Sequence, residues 1–358
     1  VKNKDGMQEI EEELKRRNLP DFMLLDGKKI TDAEQWEQKR TQMREAILRE
    51  LYGFMSFREC SVSAETVKLD PDAYGGKAVI ETVLIRVSTV RGVCCYPVRL
   101  AIPKEVQKPA VFLYMTGFPG TEIVEELIDC HYAAVTVYYQ DIMPDRPEAE
   151  LEGVGGLCEK TPYIGWGKIA MWAYGISRVT DYLMTRQDID TGRIAVVGHS
   201  RLGKAALLSA ALDQRCSLVI SAGSGAGGAA LFRGKTGERI ENLSRHWFCG
   251  NLQKYAYHPE LLPFDQHFLL ALTAPRRVYI SSASKDSWAD PKSEFLSCAA
   301  ASPAYEFLGL DGLVCRGYPK AGDMLQEGHI AYHIRRGTHA LTREDWHCYM
   351  RYRQRHHV

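Results

Sequence analysis

The stretch Ile194-Ala195-Val196-Val197-Gly198-His199-Ser200-Arg201-Leu202-Gly203-Lys204 decides the fold. Its first four residues are an apolar, β-prone run. The residues that follow it, Ala205-Ala206-Leu207-Leu208-Ser209-Ala210-Ala211-Leu212, are strong helix formers. Strand, glycine-flanked turn with a serine at its apex, then helix is the sequence signature of a nucleophile elbow. Such a turn lifts the hydroxyl clear of the sheet edge. The helix start behind it offers backbone N–H groups and a positive dipole end to a developing oxyanion. The common pattern, G-x-S-x-G, has its second glycine two residues after the serine. Here Leu202 stands there and Gly203 follows. Taken alone, the pattern also fits a serine that merely caps a helix after a buried strand. The choice therefore rests on the rest of the chain.

Outward from the elbow the rhythm is strand, loop, helix. Apolar strands are expected at 109–115, 133–139, 193–197, 218–222 and 278–282, with helices at 169–184 and 344–353. Two alternating strands at 78–87 and 96–103 read as an antiparallel entry to the sheet, and residues 8–17 and 32–52 read as amphipathic helices. The fold class implied is α/β: an α/β-hydrolase, a three-layer αβα sandwich around a mostly parallel central sheet. No internal repeat or low-complexity linker interrupts the pattern. Residues 1–358 are expected to form a single catalytic domain, with 1–55 as a helical extension packed on it.

The chain has 45 basic and 45 acidic residues and so no net charge, which argues against nucleic acid or an anionic membrane as partner. No apolar run reaches the length of a membrane span. The first residues do not read as a signal peptide, although a removed one would leave no trace. Ten cysteines are scattered without a C-x-x-C pair. They point to small core fillers in a reducing, cytoplasmic compartment, with one or two disulfides left open. Adjacent Cys94 and Cys95 lie in a strand and should face opposite sides of it. The glycine-dense stretch 223–228 lacks the lysine and hydroxyl residue of a P-loop and reads as a close-packed active-site loop. His258, His267 and the terminal His356-His357 show no ligand spacing, so no metal and no cofactor are expected.

A serine hydroxyl needs a base, and in α/β-hydrolase order the acid follows the serine and the histidine comes last. His339 is the candidate base. It lies in the loop Arg335-Arg336-Gly337-Thr338-His339-Ala340-Leu341 before the last helix, with His329 and His333 as rivals. Asp286 is the candidate acid, on the loop after the strand at 278–282. Asp290 precedes Pro291 and reads as a helix cap. The backbone N–H of Arg201 is the default oxyanion donor, and its guanidinium is a second one unless an internal ion pair claims it.

At this point the residues resemble the glucuronoyl esterases, especially their bacterial members. The elbow reads G-x-S-R-x-G-K from Gly198 to Lys204. Matching runs include Trp172-Ala173-Tyr174-Gly175, Ser224-Gly225-Ala226-Gly227-Gly228 and His246-Trp247-Phe248-Cys249. Leu262-Pro263-Phe264-Asp265-Gln266-His267, Ala274-Pro275-Arg276 and Tyr332-His333-Ile334-Arg335 match as well, with Gly337, His339 and Asp345-Trp346. The likeness covers about residues 160 to 350. It implies a serine carboxylester hydrolase that cleaves glucuronoyl or 4-O-methyl-glucuronoyl esters, such as those joining glucuronoxylan to lignin alcohols, and it allows secretion. It makes Ser200 the nucleophile, His339 the base and Arg201 an oxyanion donor. Lys204, Glu238 and Trp288 would bind the sugar, with Glu241 competing with Glu238. Many members, the fungal ones in particular, carry the acid as a glutamate just before Ser-Gly-x-Gly-Gly; Gly223 stands there in this chain, which favours Asp286. The rival activity is deacetylation of xylan or another polysaccharide by the same triad. A catalytically silent carbohydrate-binding relative is a third reading, against which the intact triad speaks. The partner expected is a carbohydrate ester, glucuronoxylan or its oligosaccharides.

Overall fold

The computed structural model describes residues 2–54, 60–118, 123–158, 161 and 163–358, with side chains from residue 6 onward. In chain order the elements are α1 (Lys2–Arg17), the two-residue strands β1 (Leu24–Leu25) and β2 (Lys28–Lys29), and α2 (Ala33–Ile47). Then come β3 (Ser61–Ala73), β4 (Ala78–Thr89), β5 (Gly92–Pro103), β6 (Ala110–Thr116), α3 (Val124–Asp129), β7 (Ala133–Tyr138) and α4 (Tyr139–Ile142). The second half holds α5 (Lys168–Leu183), β8 (Asp190–His199), α6 (Arg201–Leu212), β9 (Leu218–Ala222), α7 (His267–Ala271) and β10 (Arg277–Ala283). It closes with α8 (Pro291–Phe307), β11 (Met324–Leu325), β12 (Ile330–Arg335) and α9 (Arg343–His356).

Ten strands form one sheet in the order β11-β12-β10-β9-β8-β6-β7-β5-β4-β3. The run from β12 to β7 is parallel; β5, β4 and β3 extend it as an antiparallel meander, and β11 pairs antiparallel at the other edge. Alternation along the central strands separates two cores. Val111, Leu113, Val196, Val219 and Ile280 face one way, toward α2, α5, α6, α7 and α8. Phe112, Ala195, Val197, Ile220 and Tyr279 face the other, toward α3 and α9. Helix, sheet, helix is the three-layer sandwich read from the sequence.

The N-terminal helices are tied to the catalytic body. Arg17 is buried and donates to Arg233 O (3.0 Å) and to Ser293 Oγ (2.8 Å). Asp32 caps α2, and the helix ends in one wider turn, Leu48–Tyr52, closed by Gly53. All ten cysteines are free thiols; Cys94 is buried and Cys95 exposed, so the two do face opposite ways. The sequence pattern does not announce β3. That strand carries Glu65, Lys68, Asp70 and Pro71, lies exposed along the sheet edge and is broken twice by register shifts. Charge, proline and bulges are what an unpaired edge tolerates, and they erase the apolar alternation by which strands are recognised.

Candidate active site

The parallel strands end on one edge of the sheet, and the predicted site residues collect there. β8 ends at His199, and Ser200 adopts φ 59°, ψ −128° before α6 begins. This left-handed backbone is costly for a residue with a Cβ, about 1–3 kcal/mol, and persists only where neighbours enforce it. Here Ser200 N–H donates to Ala222 O on β9 (2.8 Å), and Ser200 O accepts from Gly203 N–H (2.9 Å). The turn is so tight that a Cβ at Gly198 would fall 2.1 Å from Leu202 O, and one at Gly203 would fall 2.8 Å from Ser221 Oγ. The displaced second glycine is therefore a packing requirement of α6 against the end of β9, while Leu202 points into the core.

His339 Nδ1 lies 2.6 Å from Asp286 Oδ2. Asp286 hangs on the turn after β10 and is 4% exposed, its other oxygen accepting the Ala289 N–H (3.1 Å). Burial alone would push the Asp286 carboxyl up, but the bonds from His339 and Ala289 outweigh it and hold the carboxyl below its ordinary range. The same bond to Asp286 raises the His339 imidazole above its ordinary value. With Nδ1 taken, Nε2 is the nitrogen left for proton transfer. His339 packs against two residues next to Ser200 or its backbone partner: the His199 ring, 4.6 Å away between centroids, and Gly223, whose Cβ position lies 3.4 Å from His339 Nδ1. His199 adjoins Ser200 in the chain, and Gly223 follows the Ala222 carbonyl that Ser200 N–H bonds. Burial pushes the His199 imidazole down to about 4, so it is neutral and adds no competing charge.

The rival histidines sit elsewhere. His333 is buried between Tyr279 and Asp345, and His329 is turned to the Asp311 carbonyl. Asp290 caps α8, accepting from Ser293 N–H (3.2 Å) and Thr236 N–H (2.9 Å), as its position before Pro291 predicts.

Around Ser200, His339 and Asp286 the cations are organised. Lys204, 2% exposed, donates to Glu238 Oε2 (2.9 Å) and Ala226 O (2.5 Å). It is thus a buried anchor for the 223–228 loop rather than a free surface ammonium. Glu238 also accepts the Ala226 N–H (3.0 Å), whereas Glu241 takes the Tyr257 N–H at 3.4 Å. Trp288 is 52% exposed, and its carbonyl is held by Glu238 N–H (2.9 Å) and Lys235 Nζ (3.1 Å). The Arg201 guanidinium does form an internal ion pair: Nη1 donates to Asp145 Oδ2 (2.5 Å), and the group lies over the Trp247 ring at 4.9 Å.

Sequence reasoning misses Asp145. It accepts from Arg201, from His246 Nε2 (2.9 Å) and from Trp247 Nε1 (2.7 Å). Burial would raise its carboxyl, but these bonds outweigh burial and lower it. Asp145 stands in Met143-Pro144-Asp145-Arg146-Pro147, a proline-flanked loop without period or motif. Its only pointer is the His246-Trp247 run. Lys235 and Glu294 are likewise missed. Lys235 is pushed down to about 8 by burial. Glu294 is fully buried and pushed up to about 7, receiving Gly225 N–H (3.0 Å) and Ser282 Oγ–H (2.5 Å). Among the described residues no cluster of three or more His, Cys, Asp or Glu could hold a metal.

Comparison with known proteins agrees with this geometry. Residues 157–309 match the family model described as glucuronyl esterase, fungi. Carbohydrate esterase MZ0003, from an unknown prokaryotic organism, is 32% identical over 98% of this chain and 92% of its own. A 4-O-methyl-glucuronoyl methylesterase of Schizophyllum commune is 28% identical over 82% of this chain and 74% of its own. The solved glucuronoyl esterase of Solibacter usitatus superposes with a TM-score of 0.86 at 32% identity, covering 94% of this chain and 97% of that one. With full-length likeness, shared fold and the G-x-S-R-x-G-K elbow together, the chain belongs to the glucuronoyl esterases, carbohydrate esterase family 15.

Proposed function

We propose that this protein hydrolyses glucuronoyl esters through Ser200, His339 and Asp286, by way of an acyl-enzyme. The observation that carries the reading is the 2.6 Å bond from His339 Nδ1 to buried Asp286, beside a serine held in strained elbow geometry. Ser200 Oγ attacks the ester carbonyl of the uronate as His339 Nε2 takes its proton. Asp286 keeps the imidazole in the right tautomer and stabilises its charged form. The oxyanion meets the Arg201 backbone N–H at the start of α6 and the Arg201 guanidinium, which Asp145 and Trp247 pre-orient. His339 returns the proton to the leaving alcohol. Water then attacks the uronoyl-Ser200 ester by the same route and releases the free acid.

The sugar is the acyl half of such an ester, so it lies against the enzyme while the alcohol leaves. Trp288 offers an exposed flat face for the ring, while the buried Lys204–Glu238 pair holds the 223–228 loop through Ala226. An acetyl group would not use the Trp288 face, and that unrealised binding energy favours uronate over acetyl esters. Relatives named as methylesterases of 4-O-methyl-glucuronoyl groups point the same way, toward side chains of glucuronoxylan as natural substrate. The test compares kcat/KM on benzyl glucuronate with that on 4-nitrophenyl acetate and acetylated xylan. Uronate turnover should dominate and vanish in Ser200→Ala. Vigorous xylan deacetylation with no turnover of a uronate ester would overturn the proposal.

A further inference from the structure

The loop that carries His339 has no secondary structure of its own, yet it must hold an imidazole to within a fraction of an ångström of two partners. One buried side chain makes most of the bonds that hold it. Arg335, the last residue of β12, is 4% exposed and folds back over the loop. Its Nη2 donates to Thr338 O (2.8 Å) and to Ala340 O (2.5 Å), the carbonyls immediately before and after His339. Nη1 donates to Arg336 O (3.2 Å). Nε donates to Asp345 Oδ2 (2.9 Å) on the first turn of α9. Gly337 leaves room for this: a Cβ there would fall 2.5 Å from Arg335 Nη1.

The anchor behind Arg335 is complete as well. Asp345 also accepts Thr342 N–H (2.7 Å), Thr342 Oγ–H (2.8 Å) and His333 Nε2–H (2.8 Å). Gln326 donates to Tyr279 Oη (2.7 Å), and Tyr279 gives its own proton to His333 Nδ1 (2.9 Å), which leaves the His333 proton on Nε2 facing Asp345. Each of these side chains is hydrogen-bonded to the next, the arrangement under which a buried network is rigid. The base loop is laced in turn to the acid loop: Ser284 N–H bonds Arg335 O (2.9 Å) and Lys285 N–H bonds Gly337 O (2.8 Å), two residues and one residue before Asp286.

We infer that Arg335 is a positioning residue for catalysis, a guanidinium clamp that sets His339 against Asp286, with Asp345 and His333 as its seat. The inference rests on the reading of His339 as the base. It explains why a histidine unable to serve as the base, His333, is buried within reach of the site's backbone.

Removing Arg335 alone would leave the buried Asp345 without its guanidinium partner and destabilise the fold for reasons unrelated to catalysis. The informative variant is therefore Arg335→Met with Asp345→Asn, which removes both charges and keeps the volume. Its thermal midpoint should fall less than that of Arg335→Met alone, because no buried charge is left unpaired. Its kcat on benzyl glucuronate should fall about 10²-fold, the usual penalty for a catalytic group displaced by an ångström, with KM unmoved. Arg335→Lys keeps a cation on Asp345 but lacks the planar fork that spans two carbonyls, so it should fall between. The second readout needs no substrate: the far-downfield proton resonance of the short His339–Asp286 bond, assigned by its loss in Asp286→Ala. It should broaden or vanish in the double variant. A folded double variant that keeps kcat and this resonance overturns the clamp, and so does a kcat loss with the resonance intact. A silent His339→Ala would instead overturn the assignment of the base, while the resonance would still report on the clamp.

Discussion

Asp286→Asn exchanges one carboxylate oxygen for an amide nitrogen and leaves shape almost untouched. In the parent, Oδ2 takes the His339 Nδ1–H at 2.6 Å and Oδ1 takes the Ala289 N–H at 3.1 Å. An asparagine can satisfy only one of these. If its oxygen stays on Ala289, its NH2 group faces Nδ1, the imidazole must carry its proton on Nε2, and no base faces Ser200. If it flips, the buried Ala289 N–H loses its acceptor and the imidazolium formed in the reaction still lacks its counter-charge. The folding cost is that of one buried hydrogen bond, about 1–3 kcal/mol. The catalytic cost is larger: the same exchange in a serine triad lowers kcat ~10⁴-fold, or about 5.4 kcal/mol at 1.36 kcal/mol per decade. The variant should thus be folded at 25 °C and nearly dead. The assay is kcat on benzyl glucuronate beside a thermal melt. Two neighbouring acids serve as controls. Asp290→Asn should keep kcat, because it is a helix cap, and should lower the melt only by the loss of one buried hydrogen bond, since Oδ1 takes Ser293 N–H and Oδ2 takes Thr236 N–H. Glu294→Gln should be close to silent, since the amide still accepts from Gly225 and can donate to Ser282. If Asp286→Asn retains ~1% of kcat or more, a hundredfold above expectation, while either control is crippled, the acid has been misassigned.

Five further outcomes are expected. Because Asp286 raises the His339 value above 6.5 and the base must be neutral, the acid limb of kcat/KM should lie above that pH and move down in Asp286→Asn. The folded state holds this proton more tightly than the unfolded chain, so a pH series of denaturant melts should show stability present below about 6.5 and lost as pH rises through the folded His339 value. Lys204→Met should cost about 3–5 kcal/mol in urea unfolding by stranding buried Glu238, and Lys204→Met with Glu238→Gln should recover most of it; equal losses would mean the pair is not coupled. Trp288→Ala touches no core and should lower kcat/KM for a uronate ester about tenfold, the worth of ~1.4 kcal/mol, with acetyl ester turnover unchanged; a parallel loss on both would deny it a sugar-binding role. Arg201→Lys should lower kcat ~10²–10³-fold, and an effect confined to KM would assign Arg201 to ground-state binding.

The elbow, the parallel core and the Asp286–His339 pairing are legible in the sequence because each leaves a local mark: an apolar strand, a turn residue, a helix start. Asp290 is legible as a cap from Pro291 alone. What escapes is what depends on distance in space. Asp145 is 56 residues from the Arg201 it anchors and carries no periodic signal. Lys204 sits on a helix face where spacing suggests a reach toward substrate, and only the fold reveals that Glu238, 34 residues on, has claimed it. β3 escapes because edge strands are selected to look unlike strands.

Gly223 has a consequence for how such enzymes change over time. Its missing Cβ would stand 3.4 Å from both His339 Nδ1 and Asp286 Oδ2. The nitrogen that the acid must grip is therefore approachable from the ends of two neighbouring strands, β9 and β10. A lineage could pass the acid from one strand end to the other through an ancestor carrying both, without ever losing its activity. Glycine codons lie one base change from those of aspartate or glutamate, so the step into that intermediate is short. Its obstacle is conformational: Gly223 has φ 50°, a backbone that aspartate tolerates better than glutamate. Any chain that had made the crossing should bear the trace as a relaxed backbone at this position.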